Sequence, residues 1–158
     1  MRAGLSAFDP KGESTIAPPG SADRVLTFRE VHNFLTPDGA VARRAFASFY
    51  AALKPGGVLG VEQHRAPVGG PQDPMAGSGY VQEAYVRKLA EEAGFRFDAA
   101  SEINANPKDT HDHPFGVATL PPERRSSAAG VPADPAFDHA PYDGIGESDR
   151  MTLRFRRP

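Results

Sequence analysis

One stretch of the chain, residues 22–62, limits the possible folds more than any other part. It contains an apolar segment at Arg24–Phe28, an amphipathic segment that ends at Leu53, and a second apolar segment at Val58–Glu62. Segments of this length and order form a βαβ unit with two parallel strands and a crossover that is almost always right-handed. Proline and glycine in Lys54–Gly57 stop the helix and turn the chain into the second strand.

The first strand and the helix of this unit have different burial patterns. The strand at Asp23–Phe28 is nearly continuous in apolar or β-prone residues, which is typical of a strand covered on both faces. The helix begins after Pro37 with Asp38 as its predicted N-cap, and Arg43 and Arg44 are expected to face water. The residues expected to face the core are Val41, Ala45, Phe49 and either Ala52 or Leu53.

Three further segments extend the unit into a larger sheet. Apolar spacing predicts a second helix at Gly79–Ala93, and Gly94 suits the left-handed position after a helix. Alternation predicts a third strand at Phe95–Ile103 and a last, antiparallel strand at Met151–Phe155, at or near a sheet edge. The element order is that of the second half of a doubly wound α/β sheet.

A long irregular connection separates the last two strands. The chain has 16 glycines and 16 prolines, well above average usage, which predicts long irregular segments. A connection of this length without regular structure is uncommon in a compact domain and indicates a functional excursion or partial disorder. We expect one domain, residues 1–158, with an irregular insertion at about 105–148 and its most mobile part at Pro121–Ala140.

Charge and composition argue against several classes of function. The net charge is −2 and the basic residues are dispersed, which disfavours a nucleic-acid surface. No apolar run approaches the roughly 20 residues that span a bilayer, and no signal peptide is visible. The absence of cysteine excludes disulfides, thiolate metal sites and thiol nucleophiles. We expect a small-molecule substrate and a cytoplasmic location, unless an export signal lies upstream of Met1.

Polar clusters follow both strands of the βαβ unit. Arg29–Asn33 comes directly after the first strand, and Glu62–Arg65 comes at the end of the second. Ligands of parallel sheets bind beyond the carboxyl ends of the strands, so both clusters are expected at one rim. His32 has an ordinary pKa near neutrality and suits a general base, although capping of the next turn is a simpler role. The second cluster suits an acidic ligand, or an ion pair that fixes the loop.

Five segments of the chain resemble the C-terminal half of class I S-adenosylmethionine-dependent methyltransferases, and more narrowly a bacterial family of predicted methyltransferases. They are Ala22–Phe34, Leu53–Arg65, Gly79–Val81, Asn106–Thr110 and Ile145–Phe155. The last segment, combined with Phe-Arg-x-Val-His-Asn in the first, is the most specific part of the match. The resemblance implies a Rossmann-like sheet, mostly parallel with an antiparallel last strand, and methyl transfer from S-adenosyl-L-methionine to an unassigned substrate.

The chain departs from that family at the cofactor site. Class I methyltransferases hold the cofactor with a glycine-rich loop after the first strand and an acidic residue that ends the second. Neither is present, since Gly56–Gly57 precedes a strand, so the N-terminal glycine-rich strand, loop and helix are missing. A weak strand at Leu5–Phe8 matches the family's third strand and would place Asp9 near the adenine. A late gene start, a genuine truncation and a second chain are the alternatives, and binding by this chain alone is not expected.

The chemistry and positions of individual residues, together with the resemblance, give candidates for particular roles. The catalytic candidates are His32 and His64. The cofactor-binding candidates are Asp9, Phe28, Arg29 and Glu30, and the substrate-binding candidates are Asn33, Arg65 and Tyr80. For Tyr80, an ordinary aromatic at a helix start is the simpler role. Glu147 or Asp149, just before the last strand, is expected to clamp onto an arginine such as Arg29.

Asp109, His111 and His113 form the densest group of potential metal ligands. They alternate, so an extended strand would place them on one face, as a divalent cation requires. Pro107 and Pro114 bracket the group without a further ligand, so a solvated loop is the simpler interpretation and no metal is assigned. A metal-dependent hydrolase is thus the weakest function. A methyltransferase is the first, with a truncated form that is inactive alone as one of its alternatives, and a non-catalytic α/β module with a degenerate cofactor site is the second.

Overall fold

The computed structural model describes residues 8–9, 12 and 15–158. Its helices and strands are β1 (Ala22–Phe28), α1 (Ala40–Ala52), β2 (Leu53–His64), α2 (Glu83–Glu92), β3 (Arg96–Ser101), α3 (Ala140–Asp143) and β4 (Arg150–Arg156). Two short 3₁₀ turns lie at Val31–Phe34 and Gly116–Thr119. The strand predicted at Leu5–Phe8 falls, apart from Phe8, outside the described residues.

The strands form one mixed sheet in the order β1–β2–β4–β3. β1 and β2 are parallel, from the pair Ala22 and Leu53 to the pair Phe28 and Glu62. β4 is antiparallel to both of its neighbours, so β1, β2 and β3 run in one direction and β4 in the other. The predicted α/β sheet with an antiparallel last strand is confirmed, and β4 lies one position inside the edge strand β3.

One apolar core joins both longer helices to a single face of the sheet. The core residues of α1 are Val41, Ala42, Ala45, Phe46, Phe49 and Ala52, and those of α2 are Val86, Leu89 and Ala90. Alternate residues of the two central strands complete it, among them Leu59, Val61, Leu153 and Phe155. Burial of each large apolar side chain stabilises the fold by about 1.5–3 kcal/mol. The predicted core face of α1 is confirmed, and Arg43 and Arg44 are exposed.

The opposite face of the sheet carries no helix among the described residues. Val25 and Thr27 of β1 are buried, whereas Leu26 and Phe28 are 59% and 58% exposed. The expectation that this strand is covered on both faces is therefore wrong for the part of the chain described here. The strand is apolar on both sides, and only the side that faces α1 is covered.

The first helix and the strand after it differ from the predicted boundaries. The N-cap position of α1 is Gly39, which is left-handed with φ 64°, and not Asp38. Asp38 still accepts a hydrogen bond from Ala40 N at 3.0 Å, so its carboxylate caps the helix from one residue further out. β2 begins at Leu53, so Lys54–Gly57 is an irregularity within the strand instead of a turn before it.

The second helix begins four residues later than predicted, at Glu83. Gly79 has φ 85°, which an α-helix does not allow, and Val81 pairs with Arg65 in a parallel bridge. Gly94, with φ 102°, ends the helix as predicted. No described helix has the length and apolar character needed to cross a membrane.

Candidate functional site

A cavity of about 400 Å³ opens at the carboxyl ends of β1 and β2. It is lined by residues at the ends of β1 and β2 and around the start of β4, namely Phe28–Glu30, His32, Asn33, His64, Ser148 and Arg150, together with Val117 and Leu120–Glu123 of the long connection. Parallel strands bring their carboxyl ends to one edge of the sheet, so the polar clusters after β1 and β2 meet there. The structure thus gathers most of the predicted site residues in one place, while their roles stay predictions.

His32 and His64 lie side by side in this cavity, with their ring centroids 5.4 Å apart. His32 is in the 3₁₀ turn after β1, which the fully buried Val31 anchors in the core. His64 is the last residue of β2. The buried Gln63 side chain contacts His32, since its Oε1 and Nε2 lie 3.4 and 3.3 Å from Nδ1 of His32, and its Nε2 donates to Gly79 O at 2.9 Å.

Both imidazoles are neutral at pH 7. Burial, followed by the nearby His32, Arg150 and Arg29, lowers the pKa of His64 to about 3. Burial also lowers the pKa of His32, although the hydrogen bond with Gln63 and the charge of Glu30 act in the opposite direction. His64 is therefore a weak proton acceptor, and His32 is the more basic of the two rings.

Ser148 is a site residue that sequence reasoning did not identify. Its Oγ lies 2.6 Å from Nδ1 of His64, and both residues are buried. The pairing of β2 with β4 explains the contact, since His64 is directly opposite Arg150 and the residues before Arg150 run alongside it. No local sequence signal marks this serine, so only the strand register could have revealed it.

Ion pairs form just before the last strand, as predicted, but their arginines are Arg150 and Arg65. Arg150 Nε lies 2.5 Å from Glu62 Oε1, and the same guanidinium pairs with Glu147. Asp149 accepts hydrogen bonds from Arg65 Nε and Nη2 at 2.9 and 3.0 Å. Arg29, which was the expected partner, makes no ion pair with a described residue.

Arg29 directly follows β1 in a left-handed conformation with φ 55°. Its backbone N donates to Glu62 O at 2.8 Å, which fixes the turn out of the strand. A non-glycine residue in this region carries a conformational penalty, and such residues are common at ligand sites. Glu30, the next residue, accepts a hydrogen bond from Asn33 Nδ2 at 3.0 Å.

Three predicted site residues lie away from this cavity. Arg65 points to Asp149 and Glu102, to which it donates four hydrogen bonds of 2.7–3.0 Å, so its guanidinium is committed within the protein. Tyr80 Oη donates to Asp109 at 2.9 Å and is buried. Asp9 is exposed and is not among the lining residues.

Asp109 is a buried hydrogen-bond acceptor. It accepts from Tyr80 Oη at 2.9 Å, His113 Nε2 at 2.8 Å, His111 N at 3.0 Å and Asp149 N at 2.7 Å. These contacts occupy the lone pairs of the carboxylate. Across the described ranges, no group of three or more histidine, aspartate or glutamate side chains is arranged to hold a metal ion. Nothing in this part of the structure supports the hydrolase hypothesis.

No model of a known family matches the chain, and no curated protein matches it. Among solved structures, the cyclase SpnF is similar over 97% of this chain and 55% of its own, with 16% identity and a TM-score of 0.55. A SAM-dependent methyltransferase of Methanosarcina mazei is similar over 95% of this chain and 65% of its own, with 10% identity and a TM-score of 0.51.

A candidate methyltransferase of Bacillus halodurans is similar over 92% of this chain and 74% of its own, with 16% identity and a TM-score of 0.51. The chain thus spans 55% of the length of the cyclase and 65% of the length of the Methanosarcina protein. Likeness at such low identity shows the fold alone. The chain has the α/β fold of methyltransferase-like proteins.

Proposed function

We propose that the chain is the substrate-side half of an S-adenosylmethionine-dependent methyltransferase. The observation that carries this proposal is the pair His32 and His64, which share a cavity at the carboxyl ends of two parallel strands. Ligands of α/β sheets bind at this position. The fold supplies the reaction class by analogy only, because one protein with a similar fold is a cyclase.

The described residues do not form a complete site for S-adenosylmethionine. Backbone amides cradle such a cofactor when glycine directly follows a strand. β1 is followed by Arg29, β2 by Arg65 and β3 by Glu102, and none of these positions is glycine. Phe28 and Glu30 at the cavity stay candidates for a partial contact. We infer that the remainder of the cofactor site lies in polypeptide outside this chain.

The free edge of β1 supports this inference. Within the described part of the chain, β1 pairs only with β2, and its outer edge has no strand beside it. An edge strand with exposed Leu26 and Phe28 is a template for further pairing. A continued sheet would pair with the edge of β1 and extend the rim that carries Arg29, and a helix connecting its strands would cover the two exposed side chains.

His32 is the residue proposed to take a proton from the methyl acceptor. An acceptor hydroxyl or amine that becomes methylated has to release a proton, which a positioned base can receive. His32 Nδ1 lies 3.4 Å from Gln63 Oε1, and a ring that donates there leaves Nε2 to receive the proton. The nearby charge of Glu30 stabilises the imidazolium that forms. His64 is too weak a base for that step, so it is proposed to hydrogen-bond the acceptor.

Isothermal titration with S-adenosylhomocysteine tests the proposal. We expect no binding to the 158-residue chain and clear binding to a longer polypeptide that includes coding sequence upstream of Met1. If that longer polypeptide contains a strand followed by a glycine-rich loop and still does not bind, the methyltransferase proposal fails.

A non-catalytic ligand-binding module is the alternative, and no contact in the described residues favours it. It predicts that the chain folds and captures a partner while S-adenosylhomocysteine leaves the melting temperature of the longer polypeptide unchanged. The same pair of samples therefore separates the two functions.

A further inference from the structure

His64 has one ring nitrogen available to a ligand. Nδ1 contacts Ser148 Oγ at 2.6 Å. Nε2 makes no hydrogen bond with a described residue. It is also not one of the buried side-chain atoms without a hydrogen-bond partner, so solvent can reach it. Since His64 lines the cavity, Nε2 is the atom it offers to a bound molecule.

The hydrogen bond with Ser148 determines whether Nε2 donates or accepts. Ser148 is buried, and within the described part of the chain its hydroxyl has no other hydrogen-bond partner. A buried hydroxyl proton needs an acceptor, and Nδ1 of His64 is the one within reach. Nδ1 is therefore unprotonated, and the neutral ring carries its proton on Nε2. His64 is a hydrogen-bond donor towards the cavity.

Two adjacent contacts hold Ser148 in this position. Arg65 N donates to Asp149 O at 2.9 Å, and the two side chains form a bidentate ion pair next to the His64–Ser148 contact. Asp149 N donates to Asp109 Oδ2 at 2.7 Å. The two residues that follow His64 and Ser148 are thus locked together, which makes Arg65 and Asp109 positioning residues for the donor.

Arg29 adds a positive charge beside this donor. Its guanidinium has no hydrogen bond or ion pair with another described residue, and its charge contributes to the low pKa of His64. The carboxylates around the cavity already have partners. Glu30 accepts from Asn33, Glu123 accepts from Arg125, and Glu62 and Glu147 pair with Arg150.

We propose that His64 and Arg29 form a subsite for a carboxylate group of the methyl acceptor. The His64 Nε2–H and the Arg29 guanidinium both donate, and a carboxylate is an acceptor with the matching charge. This inference rests on the proposed function, and it names the substrate class as a small carboxylic acid. His32 and Glu30, which line the same cavity, remain for the group that loses a proton.

Benzoate and its neutral analogue benzamide test the subsite. Chemical shifts of the 158-residue chain, followed in an NMR titration, should give saturable benzoate binding at the cavity and at least tenfold weaker benzamide binding. Arg29→Gln should weaken benzoate binding about tenfold, because a charge-assisted contact is lost. Arg24→Gln is the matched control, since Arg24 is an exposed arginine of β1 outside the cavity lining. It should leave benzoate binding unchanged.

The tautomer of His64 is a second readout that needs no ligand. Nitrogen-15 shifts of the ring should show protonated Nε2 and unprotonated Nδ1 in the native chain. Ser148→Ala should produce a mixture of tautomers and weaken benzoate binding several-fold. Ser127→Ala, in an exposed loop away from the cavity, should change neither.

Three outcomes overturn the subsite: no benzoate binding, equal binding of benzoate and benzamide, or a ring protonated on Nδ1. An unchanged affinity in Arg29→Gln removes Arg29 from it. None of these results changes the outcome expected in the titration with S-adenosylhomocysteine. The longer polypeptide can therefore bind cofactor while the carboxylate subsite fails, or the reverse.

Discussion

Replacement of Asp109 by asparagine should destabilise the protein strongly, although Asp109 is not in the cavity. The buried carboxylate accepts hydrogen bonds from four donors. They belong to three separate parts of the chain: Tyr80 after β2, His111 and His113 in the long connection, and Asp149 before β4. Asparagine keeps one acceptor oxygen and presents an NH₂ group in place of the other.

The size of the effect follows from the donors that lose their acceptor. If the amide oxygen stays towards His113 Nε2 and His111 N, then Asp149 N faces the NH₂ group. If the amide turns round, His111 N loses its partner instead. A buried donor without a partner costs about 1–3 kcal/mol, and the remaining hydrogen bonds become weaker because their acceptor no longer carries a charge. We expect Asp109→Asn to lower the free energy of unfolding by about 2–4 kcal/mol.

Urea unfolding followed by circular dichroism measures this change. With a slope of about 2 kcal/mol per M, the midpoint should fall by about 1–2 M. Asp98→Asn is the matched control, because Asp98 forms ion pairs with Arg154 and Arg156 on the exposed face of the sheet. Exposed pairs of this kind contribute about 0–1 kcal/mol. If Asp109→Asn unfolds at the same urea concentration as Asp98→Asn, the reasoning about the buried carboxylate is wrong.

The pH dependence gives an independent check. Burial acts to raise the pKa of Asp109, but the hydrogen bonds from Asp149, His113, His111 and Tyr80 outweigh it, so the pKa lies below its ordinary value of 3.8. A carboxyl with a lowered pKa in the folded state contributes stability above its unfolded pKa. That contribution is lost as the pH falls below 3.8 through the folded value. Asp109→Asn should therefore have a shallower acid limb than the native chain.

Three further predictions concern other parts of the fold. Because the pKa of His64 falls from 6.5 to about 3 on folding, stability should decline as the pH drops between these values, and a series of urea curves should show that His64→Gln reduces this slope, the part due to His32 remaining. Gly116→Ala should destabilise much more than Gly130→Ala, measured by thermal melting, since a Cβ at Gly116 would lie 2.1 Å from Ser78 O and one at Gly130 meets nothing within 4 Å. Leu26→Ser should change the urea stability of this chain by no more than about 0.5 kcal/mol, as for other exposed positions, and a larger loss would contradict its exposure.

Periodicity in the sequence was sufficient to predict most of the sheet. Strands β1, β2 and β4 and helix α1 were predicted from local patterns, because each buries one regular set of side chains. The meeting of His32 and His64 followed from topology alone, since parallel strands end at the same edge. Both results depend on elements close together in the chain, for which local reasoning is adequate.

Contacts between distant parts of the chain were beyond that reasoning. The start of α2 was misplaced because Gly79 and Val81 are held by residues of another segment: a Cβ on Gly79 would lie 2.4 Å from Val117, and Val81 pairs with Arg65. Arg65 was predicted to bind substrate, and its partner Asp149 lies 84 residues away. The role of Ser148 has the same origin, since it depends on the register between β2 and β4.

β1 was expected to be covered on both faces and, in the described part of the chain, is covered on one, and this difference indicates what surrounds the strand. The strand itself is correctly placed, because Arg24–Phe28 pairs in register with Val58–Glu62. On the face of the sheet that carries no described helix, Leu26 occupies the space beside Gly60, since a Cβ added to Gly60 would lie 2.7 Å from Leu26 Cδ2. A strand that is apolar on both sides and that, among the described residues, pairs along one edge alone is expected to aggregate unless something covers it. The sequence of β1 therefore fits a sheet that continues beyond it, which is the arrangement the methyltransferase proposal requires, and its exposed side is where the covering segment would pack.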